Sequence, residues 1–218
     1  MAQLAASMRG CCPSRQSFTG YPRPDFLKYQ QDGHVVTRTM NEPERRKPLT
    51  GNSAEFWAEI NRIHDDPNVR ADIVTRAGTA FSSGGDVRNM QRQANGSVTG
   101  MEIRHEYRTG IQQLPLALFI LEVPVIAAIN GTAVGAGLDL ACLCDIRLAS
   151  DRAKFVESFV KLGIIPGDGG AWLLPRLVGM SRAAEMVFTG DIITADVALQ
   201  WGLVSRVVPG AERVEAAN

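Results

Sequence analysis

The stretch "INGTAVGAGLDLACLCD", residues 129–145, decides the fold, because it joins an apolar strand to an apolar helix through a glycine-rich turn. The residues before it, "PVIAAIN", predict a buried strand, and the residues after Gly137 predict a buried helix. Asp139 is the one charged residue inside that apolar helix, about one turn from its start. A strand, a tight turn and a helix in this order predict an α/β unit with a polar group near the turn.

A second loop, "AFSSGGD" at residues 80–86, repeats this design. Small residues let a ligand approach the backbone closely, and the N–H groups of a first helical turn lack partners within the helix. If the two loops converge, they place two N–H donors on one oxygen that develops negative charge. Losing one such donor typically costs about 2.7–4 kcal/mol of barrier.

Two other interpretations of the glycine loops stay open. Each loop alone is also consistent with close packing of a helix on a sheet. A dinucleotide-binding turn requires G-x-G-x-x-G/A, but Leu140 stands at the sixth position after Gly135 and Gly137. We therefore rank dinucleotide binding well below the oxyanion interpretation.

Alternating strands and helices run along most of the chain. Residues 26–40 predict a β-hairpin around an Asp-Gly turn, and residues 101–121 predict one continuous helix. The other predicted elements are helices at 54–66, 87–93, from Ser181 and from Thr194, and strands at 69–77, 124–130, 145–150 and 203–208. The pattern predicts one α/β domain over residues 26–210, with a disordered leader, targeting segment or added extension at 1–25 and a short tail at 211–218.

The composition excludes several functional classes. The 218 residues contain 23 basic and 23 acidic side chains, so the basic excess of a nucleic-acid-binding protein is absent. The longest apolar stretch, near residues 114–129, is interrupted by Pro115, Glu122 and Pro124, which argues against a membrane span. The four cysteines form two close pairs whose spacing does not suit zinc, so no metal is expected. We expect a cytoplasmic protein, or a mitochondrial one if residues 1–25 are a transit peptide.

Five consecutive blocks resemble the enoyl-CoA hydratase/isomerase (crotonase) family. The blocks are "MNEPERRKPLTG", "AFSSGGD", "PVIAAINGTAVGAGLDLACLCDIRLAS", "AKFVESFVKLGIIPGDGGAWLLPRLVG" and "TGDIITADVALQWGLVSRVV". The resemblance implies a ClpP/crotonase spiral of ββα units, a homotrimer or a dimer of trimers, and an acyl-CoA substrate. Coenzyme A is then part of the substrate, and no separate cofactor is expected. Most of the family's C-terminal helical region is missing after Asn218, which implies a short form or a fragment.

The resemblance also implies roles for individual residues. The two backbone N–H donors for the thioester enolate would be those of Ser82 and Ala136. The residues expected to bind the acyl-CoA are Ser82, Ser83, Gly84, Gly85, Asp86 and Ala136, and Arg46, Lys47 and Leu49 are expected near its nucleotide end.

The acid and base groups depart from the family pattern. Asp139 occupies the position of the first family glutamate and is the expected acid or base. The second family glutamate falls on Phe159, which cannot transfer a proton. Glu157 is a further catalytic candidate: it would share the face of Phe159 on a strand but would point elsewhere on a helical turn. Asp168 is either a turn residue or another catalytic carboxylate.

These departures leave the reaction open between hydration, isomerisation and hydrolysis. A proton shuttle between carbons, or a hydrolase-like use of Asp139 and Asp168, fits better than a two-glutamate hydratase. The alternative is a non-catalytic or truncated member that binds acyl-CoA.

Overall fold

The computed structural model describes residues 26–41, 49 and 53–217. The predicted leader at 1–25 and the predicted contacts of Arg46 and Lys47 lie outside the described residues. Within them, the chain forms two β-sheets and a set of helices packed around them.

The first sheet has six strands in the order β1-β2-β3-β5-β7-β10. The hairpin pair β1–β2 is antiparallel, and every other pair in this sheet is parallel. The six strands are β1 (Leu27–Asp32), β2 (Val35–Met40), β3 (Ala71–Arg76), β5 (Val125–Ile129), β7 (Ile146–Ser150) and β10 (Arg206–Val208). The predicted hairpin at residues 26–40 is thus confirmed.

The second sheet has four short strands in the order β4-β6-β8-β9. They are β4 (Ala80–Ser82), β6 (Thr132–Val134), β8 (Lys154–Val156) and β9 (Ile193–Thr194), and only the pair β8–β9 is antiparallel. Three successive units, β3–β4, β5–β6 and β7–β8, each send their first strand to the large sheet and their second strand to the small one. This repeat is the predicted spiral of ββα units.

Eight α-helices connect and cover the sheets in the described residues. They are α1 (Ser53–Asp65), α2 (Val87–Ala94), α3 (Gly100–Thr109), α4 (Gln113–Ile120), α5 (Ala136–Leu143), α6 (Gly170–Val178), α7 (Met180–Thr189) and α8 (Ala195–Gln200). Short 3₁₀ turns occur at Ser158–Leu162 and Glu215–Ala217.

The prediction of one helix over residues 101–121 was wrong. The backbone leaves the helical region at Gly110 (φ −106°, ψ −111°), which ends α3. Ile111 is buried after this break, and α4 then places Pro115 in its first turn, where the missing N–H of proline leaves no gap in the helix. The prediction failed because the apolar periodicity continues through residues 101–121, whereas a single residue, Gly110, breaks the helix.

Helix α5 lies in the centre of the core, and every residue from Ala136 to Cys142 is buried. It belongs to the same apolar core as Phe81 of β4 and Phe155 of β8, which are both fully buried. Because α5 is surrounded on all sides, Asp139 is carried into the interior rather than onto the surface.

Candidate active site

The two glycine loops meet backbone to backbone at the start of α5. Gly84 has a positive φ of 82°, and a Cβ there would lie 2.5 Å from the carbonyl oxygen of Val134 and 3.4 Å from the nitrogen of Ala136. A Cβ at Gly137 would lie 2.5 Å from the Cβ of Ser82. Only glycine permits this approach, so the predicted convergence of the loops is present.

The loops hold the backbone of Ser82 and Ala136 close to one another. Ser82 ends β4 and is fully buried, and its hydroxyl oxygen accepts a hydrogen bond of 3.2 Å from the N–H of Gly84. Ala136 is the first residue of α5, so its N–H has no acceptor within the helix.

Of the other predicted binding residues, one lines a cavity and the rest make contacts that hold the loop and helix α2 in place. Gly85 lines the large cavity described below, together with Ala136. The Asp86 carboxylate instead caps α2, because it accepts hydrogen bonds from Arg88 N (2.9 Å) and Asn89 N (3.4 Å). Buried Leu49 donates its N–H to the carbonyl oxygen of Gly84 at 3.0 Å and so anchors the loop. Ser83, which lies between Ser82 and Gly84 in the chain, is half-buried.

A cavity of about 660 Å³ opens in front of Ala136. Its wall is largely apolar, and Asp168 is the carboxylate among its lining residues. The apolar side chains come from α2, α3, the loop between α3 and α4, the 3₁₀ turn and the residues after it, and they include Met90, Ile103, Tyr107, Ile111, Phe159 and Ile165. Smaller hollows lie along α3, one of them between α2 and α3, and the three carboxylates described next do not line them. An apolar cavity with a few polar groups at one end is typical of a ligand site.

Three buried carboxylates cluster behind this end of the cavity. Asp139 comes from α5, Glu157 follows β8, and Asp168 lies in the turn before α6; their exposed fractions are 1%, 0% and 8%. A Cβ at Gly170 would overlap Asp139 Oδ1 and would lie 2.7 Å from Glu157 Oε1. Asp139 and Glu157 therefore meet over the bare backbone of Gly170, and Asp168, which lines the cavity, is near enough for its charge to act on Asp139.

Burial raises the pKa of all three carboxyl groups. Burial is the main cause for Asp139, and the charge of Asp168 adds to it, whereas the N–H of Gly170 and a proton on Glu157 act in the opposite direction. Burial and then the charge of Asp139 raise the pKa of Glu157. Burial alone raises the pKa of Asp168 to about 6.

The oxygens of Asp139 and Glu157 have no hydrogen-bond partner of standard geometry among the described residues. The N–H of Gly170 is near enough to lower the pKa of Asp139 but does not complete such a bond. Two ionised carboxylates can only accept, so neither can satisfy the other until one of them carries a proton.

Phe159 and Glu157 point in different directions, as the helical-turn alternative predicted. The backbone enters the 3₁₀ turn directly after Glu157, so the alternation of a strand does not apply. The Phe159 ring lies 3.6 Å from the position of a Cβ at Gly135 and lines the cavity. Phe159, the residue expected at the position of the second family glutamate, is thus an apolar part of the wall, and the carboxyl group of Glu157 is buried away from it.

Two residues of this site were missing from the sequence-based prediction. Gly170 appeared only as part of the turn "PGDGG", and its contact with two carboxylates depends on the approach of α5 to α6. Tyr107 lines the cavity from α3, and burial, followed by the charge of Asp168, raises the pKa of its hydroxyl. Tyr107 follows Ile103 by four residues, so the two share one face of a helix, and this spacing is the signal in the sequence that could have identified Tyr107.

Comparison with known proteins agrees with this geometry. Residues 30–218 match the family model described as enoyl-CoA hydratase/isomerase. The chain is 36% identical over 187 residues to 1,2-epoxyphenylacetyl-CoA isomerase of Escherichia coli, covering 84% of this chain and 70% of that protein. It is 39% identical over 185 residues to crotonyl-CoA hydratase of Syntrophomonas wolfei, covering 84% of this chain and 69% of that protein.

A solved structure shows the same fold. The crystal structure of enoyl-CoA hydratase from Bacillus anthracis superimposes with a TM-score of 0.80 at 33% sequence identity, covering 88% of this chain and 73% of that one. A spiral of ββα units, two touching glycine loops and a buried carboxylate on α5 define a crotonase-fold enzyme. The chain belongs to the enoyl-CoA hydratase/isomerase family, and its substrate class is acyl-CoA.

The described part of the chain contains neither a metal-ligating cluster nor a membrane-spanning helix. Across residues 26–41, 49 and 53–217, no group of three or more His, Cys, Asp or Glu side chains is arranged to hold a metal ion. Within the same residues, no helix has the length and apolar character needed to cross a bilayer.

Proposed function

We propose that this enzyme moves a carbon–carbon double bond within an acyl-CoA thioester. A base removes a proton from the α-carbon of a 3-enoyl thioester, the electron pair spreads to the thioester oxygen, and a proton returns at the γ-carbon. The product is the 2-enoyl thioester, so atoms and charge balance without a redox step. No cofactor beyond the coenzyme A of the substrate is required.

The observation that supports a proton shuttle is the apolar side chain of Phe159 on the wall of a cavity that a single cluster of carboxyl groups reaches through Asp168. Hydration needs one group to activate water and a group to protonate carbon. A double-bond shift needs only one carboxyl group that takes a proton from one carbon and gives it to another. Asp139, held near Ala136 by α5 and with a raised pKa, suits this role.

The N–H groups of Ser82 and Ala136 stabilise the enolate oxygen in this proposal. Their contact through Gly84 and Gly137 supports it. Ala136→Pro tests the second donor, because proline at the first helical position fits the helix but lacks the N–H. We expect a 10²–10³-fold loss of kcat, the typical cost of one oxyanion donor. The matched variant Ala136→Gly retains the N–H and should retain most of the activity.

Water addition to a 2-enoyl thioester is the second candidate. It is favoured by the proximity of Asp168, which lines the cavity, to Asp139, and by relatives that are named as hydratases. In this case Asp139 and Asp168 would share the two proton transfers.

Product analysis separates the two reactions. Purified protein is incubated with a 3-enoyl-CoA and, separately, with a 2-enoyl-CoA, and the products are resolved by chromatography and mass. Conversion of the first substrate without a gain in mass supports the isomerase. Fast addition of water to the second with no double-bond shift supports the hydratase, and no turnover of either thioester refutes both.

Assembly and location remain predictions. A homotrimer or a dimer of trimers is checked by light scattering of the purified chain. The cytoplasmic location, or the mitochondrial alternative that depends on residues 1–25, is checked by imaging a fusion that leaves this segment free.

A further inference from the structure

Glu157 is a fully buried acidic residue without an evident structural use. It is 0% exposed, does not line the cavity, and both of its carboxylate oxygens lack a hydrogen-bond partner among the described residues. An unpaired buried carboxylate is costly, so such groups neutralise or find a partner. The residue that meets Glu157 is Asp139, across the backbone of Gly170.

A proton resolves the missing hydrogen bonds of this pair. A carboxyl group that carries a proton becomes a donor, and the neighbouring carboxylate can accept from it. Neither group lines the cavity, but Asp139 stands on α5 three residues after Ala136, which does. Burial and the charge of Asp139 raise the pKa of Glu157 further than burial raises that of Asp139, so the proton is retained on Glu157, and Asp139 ionises more easily because it accepts the hydrogen bond.

We propose that Glu157 is a positioning residue that holds a proton and donates it in a hydrogen bond to Asp139, which fixes the orientation and the ionised form of the reacting carboxylate. The consequence for turnover rests on the function proposed above. Glu157 itself does not touch the substrate; it acts through Asp139.

The surroundings of the pair leave few other groups to take this role. Asp168 faces Asp139 from the turn before α6, and Tyr107 of α3 faces Asp168. The Cys142 thiol of α5 is kept neutral because burial raises its pKa. No described Lys, Arg or His forms an ion pair with Asp139 or Glu157, so a cation does not hold Asp139 in its charged form.

The pH profile of kcat/KM tests the proposal with two variants of Glu157. The acidic limb of this profile reports the ionisation of the essential base in the free enzyme. Glu157→Met removes the donor at similar length, so the limb should move upward by about one to two pH units, the worth of a hydrogen bond to a charged acceptor. Glu157→Gln keeps a donor in its amide group, so its limb should stay close to that of the wild type.

A merely structural role predicts a different outcome. Both variants would then change the melting temperature while the acidic limb stays in place, and this result would overturn the proposal. Equal upward shifts in Glu157→Met and Glu157→Gln would overturn it too, because donation would not be the cause. If Glu157→Met fails to fold, the spectrum below decides.

Infrared difference spectroscopy reads the proton directly and does not depend on turnover. The wild-type spectrum minus that of Glu157→Gln at pH 7.5 should contain the C=O stretch of a protonated carboxyl group. Absence of this band overturns the proposal even in an active enzyme. A wild-type protein that shows the band but turns over no acyl-CoA instead refutes the proposed function and leaves only the proton assignment standing.

Discussion

Replacing Gly170 with alanine adds one methyl group at the point where Asp139 and Glu157 meet. The new Cβ would overlap Asp139 Oδ1 and lie 2.7 Å from Glu157 Oε1, so at least the Asp139 carboxylate must move. Overpacking of this kind typically costs about 1–3 kcal/mol, and the better helix propensity of alanine returns up to about 1 kcal/mol. We therefore expect a net loss of roughly 0–3 kcal/mol in the free energy of unfolding.

Activity should fall much further than stability in Gly170→Ala. A shift of about 1 Å in a reacting group can reduce the rate about 10²-fold. The assay combines urea unfolding with kcat for the acyl-CoA substrate that the wild type converts. Gly100→Ala is the matched control, because Gly100 is also the first residue of its helix but has no atom within 4 Å of a new Cβ. It should keep full activity and gain up to about 1 kcal/mol.

Equal behaviour of the two alanine variants would refute the reasoning. If Gly170→Ala keeps the wild-type kcat and stability, the carboxylates do not meet over Gly170 in the way described. A loss of stability without a loss of activity would likewise show that Gly170 does not determine the position of the reacting Asp139 carboxylate.

Three further predictions concern Asp168, Phe159 and the buried ion pair of Arg38 and Asp72. Burial raises the Asp168 pKa from 3.8 to about 6, so the folded state holds its proton more tightly than the unfolded chain and this group's contribution to stability falls as pH rises from about 4 to 7. Asp168→Asn should remove this loss, and urea unfolding at pH 8 should show a gain of up to about 3 kcal/mol over wild type that disappears near pH 4. Phe159→Glu places a second carboxyl group on the cavity wall, so the ratio of hydrated to isomerised product should rise; an unchanged ratio would contradict the importance of Phe159. Arg38 and Asp72 are both fully buried and ion-paired in the core, with Phe56 4.9 Å from the guanidinium. Arg38→Met alone should destabilise by about 3–5 kcal/mol in urea unfolding, because it leaves an uncompensated charge, and adding Asp72→Leu should restore most of the loss.

The sequence predicted the parts of the site that depend on local order. Consecutive residues around Ala136 predict the strand, the glycine turn and the helix. Helical spacing then places Asp139 one turn into that helix. The contact between the loops could also be predicted from the sequence, because Gly84 and Gly137 lie in two motifs of the same design. The fold class followed from the repeated alternation of strands and helices.

The unpredicted parts depend on the approach of distant segments or on a single backbone break. The sequence left two directions open for Glu157, and the 3₁₀ turn after β8 decides between them. Gly170 acquires its role only because α6 begins against the carboxylates of Asp139 on α5 and of Glu157 after β8. The break at Gly110, which separates α3 from α4, is invisible to apolar periodicity because the pattern continues on both sides.

The most direct test of proton transfer by Asp139 is the turnover of a 3-enoyl-CoA in deuterium oxide by the wild type and by Asp139→Asn. The asparagine variant keeps the size of the side chain but cannot accept a proton, so the rate of double-bond shift and of deuterium uptake should fall about 10²–10⁴-fold. Melting temperature serves as the control for folding. A wild-type rate in a folded Asp139→Asn enzyme would contradict the assignment of Asp139 as the group that moves the proton.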